Sequence, residues 1–330
     1  MPLPNAFPLS QRLSRRVTVS IVLYVLLSCL AEPLVKLISI FAQRPQDLKS
    51  DVDELIDEEI LQRFKTAPEI DYSVRRLTPR TIAKTTIEPG NPPNSSEANA
   101  LNMVHAQTTI PVPRVRRVIK EEWSFMIVVM DYIEGPTLAE AWPNLSLWKK
   151  FSIVLILRSY ISQLHRLQAT PQTPPGPVCE HTGEPARKCV SPLFGKTRPK
   201  RGPFASYIEL SEFFNRQARI GLSHFGVSNN DPLRNELFDD TAPLVLTHSD
   251  INPRNLILGS DGRLWMIDWG WSGFYPPWFE YMSMREQAEN EILNGFQDRL
   301  WELAIPFCCG IYFRQEQWMA RTGPALSFHK

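Results

Sequence analysis

Residues 244–270, LVLTHSDINPRNLILGSDGRLWMIDWG, constrain the chain more than any other segment. One apolar run enters a polar loop, and two more flank Asp261-Gly262, a favoured tight-turn pair. The spacing predicts a hairpin that returns Asn255 and Asp268 to the same end. His248, Asp250 and Asn255 stand as H-x-D-x-x-x-x-N. In phosphoryl transfer, an Asp in this pattern accepts a hydroxyl proton and the Asn carries Mg²⁺. Three fixed positions would arise by accident in roughly one chain in a hundred of this length. The reading therefore depends on what surrounds the loop.

Upstream, short strands are expected from Asp71 onward. YSVRRL and TIAKTTI flank a turn at Thr78-Pro79-Arg80, and the two-residue period puts Ile82 and Lys84 on one face. Ser95 or Ser96 can cap a helix carrying Glu97, Leu101 and Val104. IPVPRVRRVI suggests an edge strand, and FMIVVMDYI a buried central one ended by Glu134 and Gly135. The composition then turns helical, with Ser146 capping a helix through Val154, Leu157, Ile161 and Leu164. Residues 171–203, rich in Pro and Gly, read as a surface insertion with no core of its own. Residues 43–69 are charged with a weak apolar stripe and read as a connector helix.

A chain of 330 residues can hold one two-lobed enzyme or two ordinary domains. With 36 Lys and Arg against 35 Asp and Glu and no long block of one sign, it lacks the basic footprint of nucleic-acid binding. The five scattered cysteines form no C-x-x-C pair and fit free thiols in a reducing compartment. The amino terminus leaves three readings open. Val17 to Ala31 are uncharged after Arg12, Arg15 and Arg16, and residues 17–42 could be a signal peptide, a membrane anchor or interfacial helix, or a helix packed on the core.

Taken in order, HSDINPRN, the hairpin, IDWG at 267–270, Lys84 in IAKTT, Glu97 in SSEANAL, VVMDYIEGPTLAEAW, GPFASYIELSEFF and GFYPPWFEY resemble the aminoglycoside phosphotransferase and choline kinase-like family, especially its fungal members. The resemblance covers about residues 72–283. It implies an α+β, two-lobed protein-kinase-like fold, with a small antiparallel-sheet lobe over residues 71–133 and a larger helical lobe over residues 134–330. The segments before these are residues 1–43 and the connector 44–70. The implied activity is ATP- and Mg²⁺-dependent phosphorylation of a hydroxyl on a small molecule, in a catalytic domain expected to face the cytoplasm.

By the same resemblance Asp250 is the catalytic base, and Asn255 and Asp268 are the metal ligands. Lys84 and Glu97, with Asp131, Tyr132 and Ile133 after the central strand, are cofactor-binding. No glycine precedes Gly90, so a G-x-G-x-x-G loop before Lys84 is absent, and the Thr78-Pro79-Arg80 turn is expected to cover the phosphates. Ser249 stands where the family commonly has Gly, and Gly270 where it commonly has an acid. Asn252 replaces the lysine usual in protein kinases, which favours a small acceptor. Trp271, Phe274, Tyr275, Trp278, Phe279, Glu280 and Tyr281 are either a wall for an amine or core packing. A catalytically silent, kinase-like binding module is the rival reading.

Overall fold

Side chains alternate in direction along FMIVVMD and are buried on both faces, which explains how the small lobe is built. The computed structural model describes residues 10–41, 43, 49–88, 94–120, 125–196, 199–293 and 295–328. Strands β1 (Glu69–Asp71), β2 (Val74–Thr78), β3 (Thr81–Ile87), β4 (Val115–Lys120) and β5 (Phe125–Asp131) form one antiparallel sheet in the order β1-β2-β3-β5-β4. β5 is an interior strand between β3 and the edge strand β4, in keeping with their apolar and Pro-bearing sequences.

Ile127 and Val129 of β5, with Ala83 and Ile119, pack beneath Val52 and Ile60 on the outer face. Ile60 belongs to helix α2 (Asp57–Thr66), so the charged connector is also the roof of this lobe. Val128 and Met130 face the opposite way, into the main core with Leu101 and Val104. With both faces covered, β5 reads as a continuous apolar run, and each buried Val or Ile contributes about 1.5–3 kcal/mol. Helix α3 (Ser96–Gln107) is capped by Ser95, whose hydroxyl accepts from the Ala98 amide at 3.4 Å.

The large lobe follows a short linker and helix α4 (Leu138–Ala141). Helix α5 (Leu147–Leu164) starts at the expected Ser146 cap and runs beneath α8 (Arg299–Cys309). The insertion carries the short pair β6 (Cys189–Val190) and β7 (Lys200–Arg201) before α6 (Tyr207–His224). The hairpin β9 (Leu256–Leu258) and β10 (Leu264–Met266) forms as expected, beside the pair of β8 (Val245–Thr247) with β11 (Gly273–Tyr275). Helices α7 (Trp278–Leu293), α9 (Phe313–Met319) and α10 (Gly323–Phe328) complete the lobe.

The structure refines two of the readings left by the sequence. The insertion has no separate core, but it is anchored in that of the large lobe: Cys189, Leu193 and Phe194 are buried against Phe214, Tyr275 and Phe279. Its Pro and Gly content conceals any periodicity, while isolated large side chains still supply the anchoring area. At the amino terminus, helix α1 (Ser10–Phe41) packs on α5 and α8 through buried Ala31 and Val35. Tyr24 also donates to the Leu303 carbonyl at 3.0 Å. Leu30, Leu34, Leu37 and Ile40 remain exposed, and among the described residues no helix is long and apolar enough to cross a membrane.

Candidate active site

Strand period and helix capping bring three charges together where the lobes meet. Lys84 projects from the inner face of β3, with Nζ 2.8 Å from Glu97 Oε1 and 2.7 Å from Asp268 Oδ1. Glu97 lies in the first turn of α3, and its side chain is only 3% exposed. The nearby Glu88 is occupied elsewhere, accepting from the Ser96 amide and hydroxyl, both at 2.8 Å. Burial alone would depress the Lys84 pKa, but the carboxylates of Glu97 and Asp268 prevail and raise it, so the ammonium persists. Burial would raise the Asp268 pKa, and Lys84 overrides it to hold the group ionised.

Asp250 occupies a different environment. Its Oδ1 accepts from Gln287 Nε2 at 2.6 Å and Asn252 Nδ2 at 3.1 Å, and its Oδ2 from Asn255 Nδ2 at 2.8 Å. These donors are neutral. Burial, then the charge of Asp268, push the Asp250 pKa up to about 8 against the hydrogen bonds of Asn255 and Asn252. His248 stays neutral because burial lowers its pKa to about 4. Its Nδ1 accepts from the Asp250 amide at 3.2 Å, which leaves Nε2–H to donate to the Ile267 carbonyl at 3.0 Å. It is thus a tether between the loop and the hairpin. The Ile267 amide in turn donates to the Asn255 carbonyl at 3.0 Å, fixing Asn255 beside the start of the Asp268 turn.

One buried stripe of α7, absent from the sequence expectations, supports this loop. Glu280 accepts the His248 amide at 2.6 Å and the Ser249 amide at 3.0 Å; Gln287 reaches Asp250; Glu291 takes Arg254 Nε at 2.8 Å. Positions 280, 287 and 291 recur at helical spacing, and all three are buried. Burial pushes the Glu280 pKa up to about 7 despite the two amides it accepts. Ser249 and Asp268 both have φ of 62°, a left-handed conformation that costs a non-glycine residue about 1–3 kcal/mol. The Glu280 clamp holds Ser249 in this conformation, which glycine would adopt without strain.

Of the two readings of the aromatic residues after Asp268, core packing is the one the structure supports. Phe274, Tyr275, Trp278, Phe279 and Tyr281 are buried, and Glu280 is turned onto backbone amides. The Thr78-Pro79-Arg80 turn is misplaced by the sequence reading. It lies at the opposite end of β3, where Thr81 pairs with Asp131 and the Tyr132 amide donates to the Arg80 carbonyl at 2.8 Å. Three residues of strand, about 10 Å, separate it from Lys84. The turn beside Lys84 is the one between β1 and β2, where the Ser73 carbonyl accepts from the Thr85 amide at 2.8 Å.

Asp131, Tyr132 and Ile133 form the linker between the lobes. The Asp131 carboxylate turns outward to Arg116, at 2.7 Å from Nε, and the Tyr132 ring lies under the Arg76 guanidinium. A side chain at Gly270 would begin 3.6 Å from Asp268 Oδ1 and 3.8 Å from Lys84 Nζ, so glycine leaves the mouth of the ion cluster open.

The donor set suits a hard cation. Asn255 spends its amide nitrogen on Asp250, which leaves Oδ1 for a metal, and Asp268 supplies a carboxylate. Mg²⁺ prefers such oxygens and usually takes few from the protein. Among the described residues, no three His, Cys, Asp or Glu groups form a ready-made cage. Phosphate oxygens and water would have to complete the coordination.

Among solved structures, the chain is similar to a thermostable mutant of aminoglycoside phosphotransferase APH(4)-Ia in its apo form. Identity is 13%, with 82% of this chain and 98% of that one covered, at a TM-score of 0.41. A gentamicin complex of APH(2")-IIa is 14% identical over 84% and 86%, with a TM-score of 0.47. The apoenzyme of macrolide 2'-phosphotransferase MphH from Brachybacterium faecium is 14% identical over 81% and 88%, with a TM-score of 0.40. No curated protein matches the chain. The sequence model of the phosphotransferase enzyme family matches residues 71–305, a span holding Lys84, Glu97, Asp250, Asn255 and Asp268. With well over half its length so matched, the chain belongs to the phosphotransferase enzyme family.

Proposed function

We propose that the protein transfers the γ-phosphoryl group of ATP, with Mg²⁺, to a hydroxyl of a small molecule. The observation that carries this reading is the opposite treatment of two neighbouring carboxylates: Asp268 is ionised against Lys84, and Asp250 is held by neutral amides with its pKa near the working range. Transfer of a phosphoryl group needs positioning and charge neutralisation more than a protein nucleophile.

In this scheme Lys84 moves its charge from Asp268 to the nucleotide phosphates, while Glu97 keeps the ammonium in place. Asp268 and Asn255 Oδ1 hold Mg²⁺, which when bound neutralises charge on the phosphate oxygens. Asp250 takes the acceptor proton as the acceptor oxygen bonds to phosphorus and the bond from phosphorus to the departing diphosphate breaks. With the Tyr132 amide already committed to Arg80, the Asp131 carbonyl and the Ile133 amide are the backbone groups for a purine edge. Asn252, on Asp250 rather than reaching out as a lysine would, favours a compact acceptor over a protein.

The decisive experiment incubates the protein with Mg²⁺, γ-¹⁸O-labelled ATP and a metabolite extract, beside Asp250→Asn. Labelled phosphate on a metabolite with wild type alone is expected, and its mass identifies the acceptor class. No labelled product from a preparation that binds nucleotide would move the chain to a binding module.

A further inference from the structure

The 171–203 insertion is fastened to the large lobe at two places. Gly176 and Phe274 of β11 exchange backbone hydrogen bonds of 3.1 and 2.8 Å, and Phe194 is fully buried among Phe214, Tyr275 and Phe279. Between these anchors it crosses to the small lobe and meets the start of α3. Asn94, just before the Ser95 cap, is held on every side. Its Nδ2 donates to Glu180 at 2.7 Å, its carbonyl accepts from Arg187 Nη1 at 3.0 Å, and its Oδ1 accepts from both Arg187 Nη2 and Asn99. Asn99 also donates to the Val178 carbonyl at 3.1 Å. Arg187, only 5% exposed along its side chain, is steadied by Glu184 at 2.8 Å.

The other end of α3 is tied to the large lobe as well. The Thr109 amide and hydroxyl donate to Gln163 Oε1 of α5 at 2.9 and 3.0 Å, and the Met266 amide donates to the Pro111 carbonyl at 2.9 Å. A helix gripped at both ends by the opposite lobe cannot swing without breaking one grip. Glu97 lies three residues from Asn94, so a displacement there separates Glu97 from Lys84.

We propose that the insertion is a latch between the lobes, in which Arg187 and Glu180 grip Asn94 and act as positioning residues that set Glu97 on Lys84. In its consequence for nucleotide the latch rests on the phosphotransfer reading; in its mechanics it does not. It marks α3 as permanently set in this chain by its own insertion.

The test uses the full chain with Arg187→Met, Arg187→Lys and the milder, exposed Glu180→Ala. Affinities for Mg-ATP and for adenosine would be measured by calorimetry, and α3 by hydrogen exchange. Because only ATP has phosphates for Lys84, Arg187→Met should weaken Mg-ATP about tenfold, as loss of a hydrogen bond to a charged group would, and leave adenosine within about twofold. Amides of α3 should exchange faster while those of α6 do not change, with Arg187→Lys restoring part of both effects. Glu180→Ala should move the same way by a smaller factor, which keeps the test open if Arg187→Met does not fold. Unchanged α3 exchange, or equal losses for ATP and adenosine, overturns the latch. A wild-type chain that binds neither ligand while the variants loosen α3 would sink the phosphotransfer reading and leave the latch standing.

Discussion

Asp268 and Asp250 flank the same hairpin, yet the fold treats them as opposites. Asp268 meets a cation at 2.7 Å and is held ionised. Asp250 meets three amides, and burial and the charge of Asp268 push its pKa up to about 8. A carboxylate that must hold a cation has to be charged at all times. One that must take and return a proton works best when both its forms are accessible near the operating pH. The difference lies in the partners: Lys84 arrives from the small lobe, whereas the nearest cation to Asp250 in sequence, Arg254, is drawn away to Glu291.

The largest expected effect comes from disabling the two acids separately. Asp268→Ala should abolish Mg-nucleotide binding, and turnover with it. Asp250→Asn should leave that affinity nearly intact and lower turnover about 10²- to 10⁴-fold. Calorimetry beside single-turnover kinetics separates the two. If both variants lose binding equally, the contrast has no functional content; if Asp250→Asn turns over at the wild-type rate, the base is elsewhere.

Next in size is the cost of the ion cluster to the fold itself. Lys84→Met strands the buried carboxylate of Glu97, and loss of one partner of a buried pair typically costs about 3–5 kcal/mol. Adding Glu97→Gln should recover most of that loss in denaturant unfolding while nucleotide binding stays absent. A double variant no more stable than Lys84→Met would show that the stranded charge is not the source of the cost. Asp268, with a side chain 45% exposed, adds much less to this balance.

Much of this contrast was legible in the sequence. The Asp261-Gly262 turn and its flanking apolar runs foretold the hairpin, the two-residue period placed Lys84 on the inner face, and serine caps marked where α3 and α5 begin. What sequence reasoning missed involves side chains that act at long range. Glu280 sits among aromatic residues that suggested a ligand wall, and only the packing of α7 turns its carboxylate onto the loop amides. The signal available was a polar residue repeated at 280, 287 and 291 in an otherwise apolar helix face. The two tight turns of the small lobe could not be ranked from composition, because strand order alone decides which one lies beside Lys84. The insertion hid its anchor, Phe194, within a Pro- and Gly-rich run whose irregular backbone leaves no period to read.

The smallest and sharpest test concerns Gln287, which sets the proton affinity of Asp250 without touching the ion cluster. Its amide is the shortest donor to that carboxylate, at 2.6 Å, and it favours the charged form. Gln287→Leu removes the donor and should raise the Asp250 pKa further. A base must be deprotonated to act, so the acid limb of the pH profile should move to higher pH. Turnover at pH 7 should then fall about tenfold, in keeping with about 1.5–3 kcal/mol for a hydrogen bond to a charged group. Turnover well above the limb should recover, and Mg-nucleotide affinity should not change. A cation bound at Asp268 lowers Asp250 in both proteins alike, so the displacement between their two profiles isolates the amide. Superimposable profiles would mean that Asp250 does not limit the reaction, and the contrast with Asp268 would then be one of architecture alone.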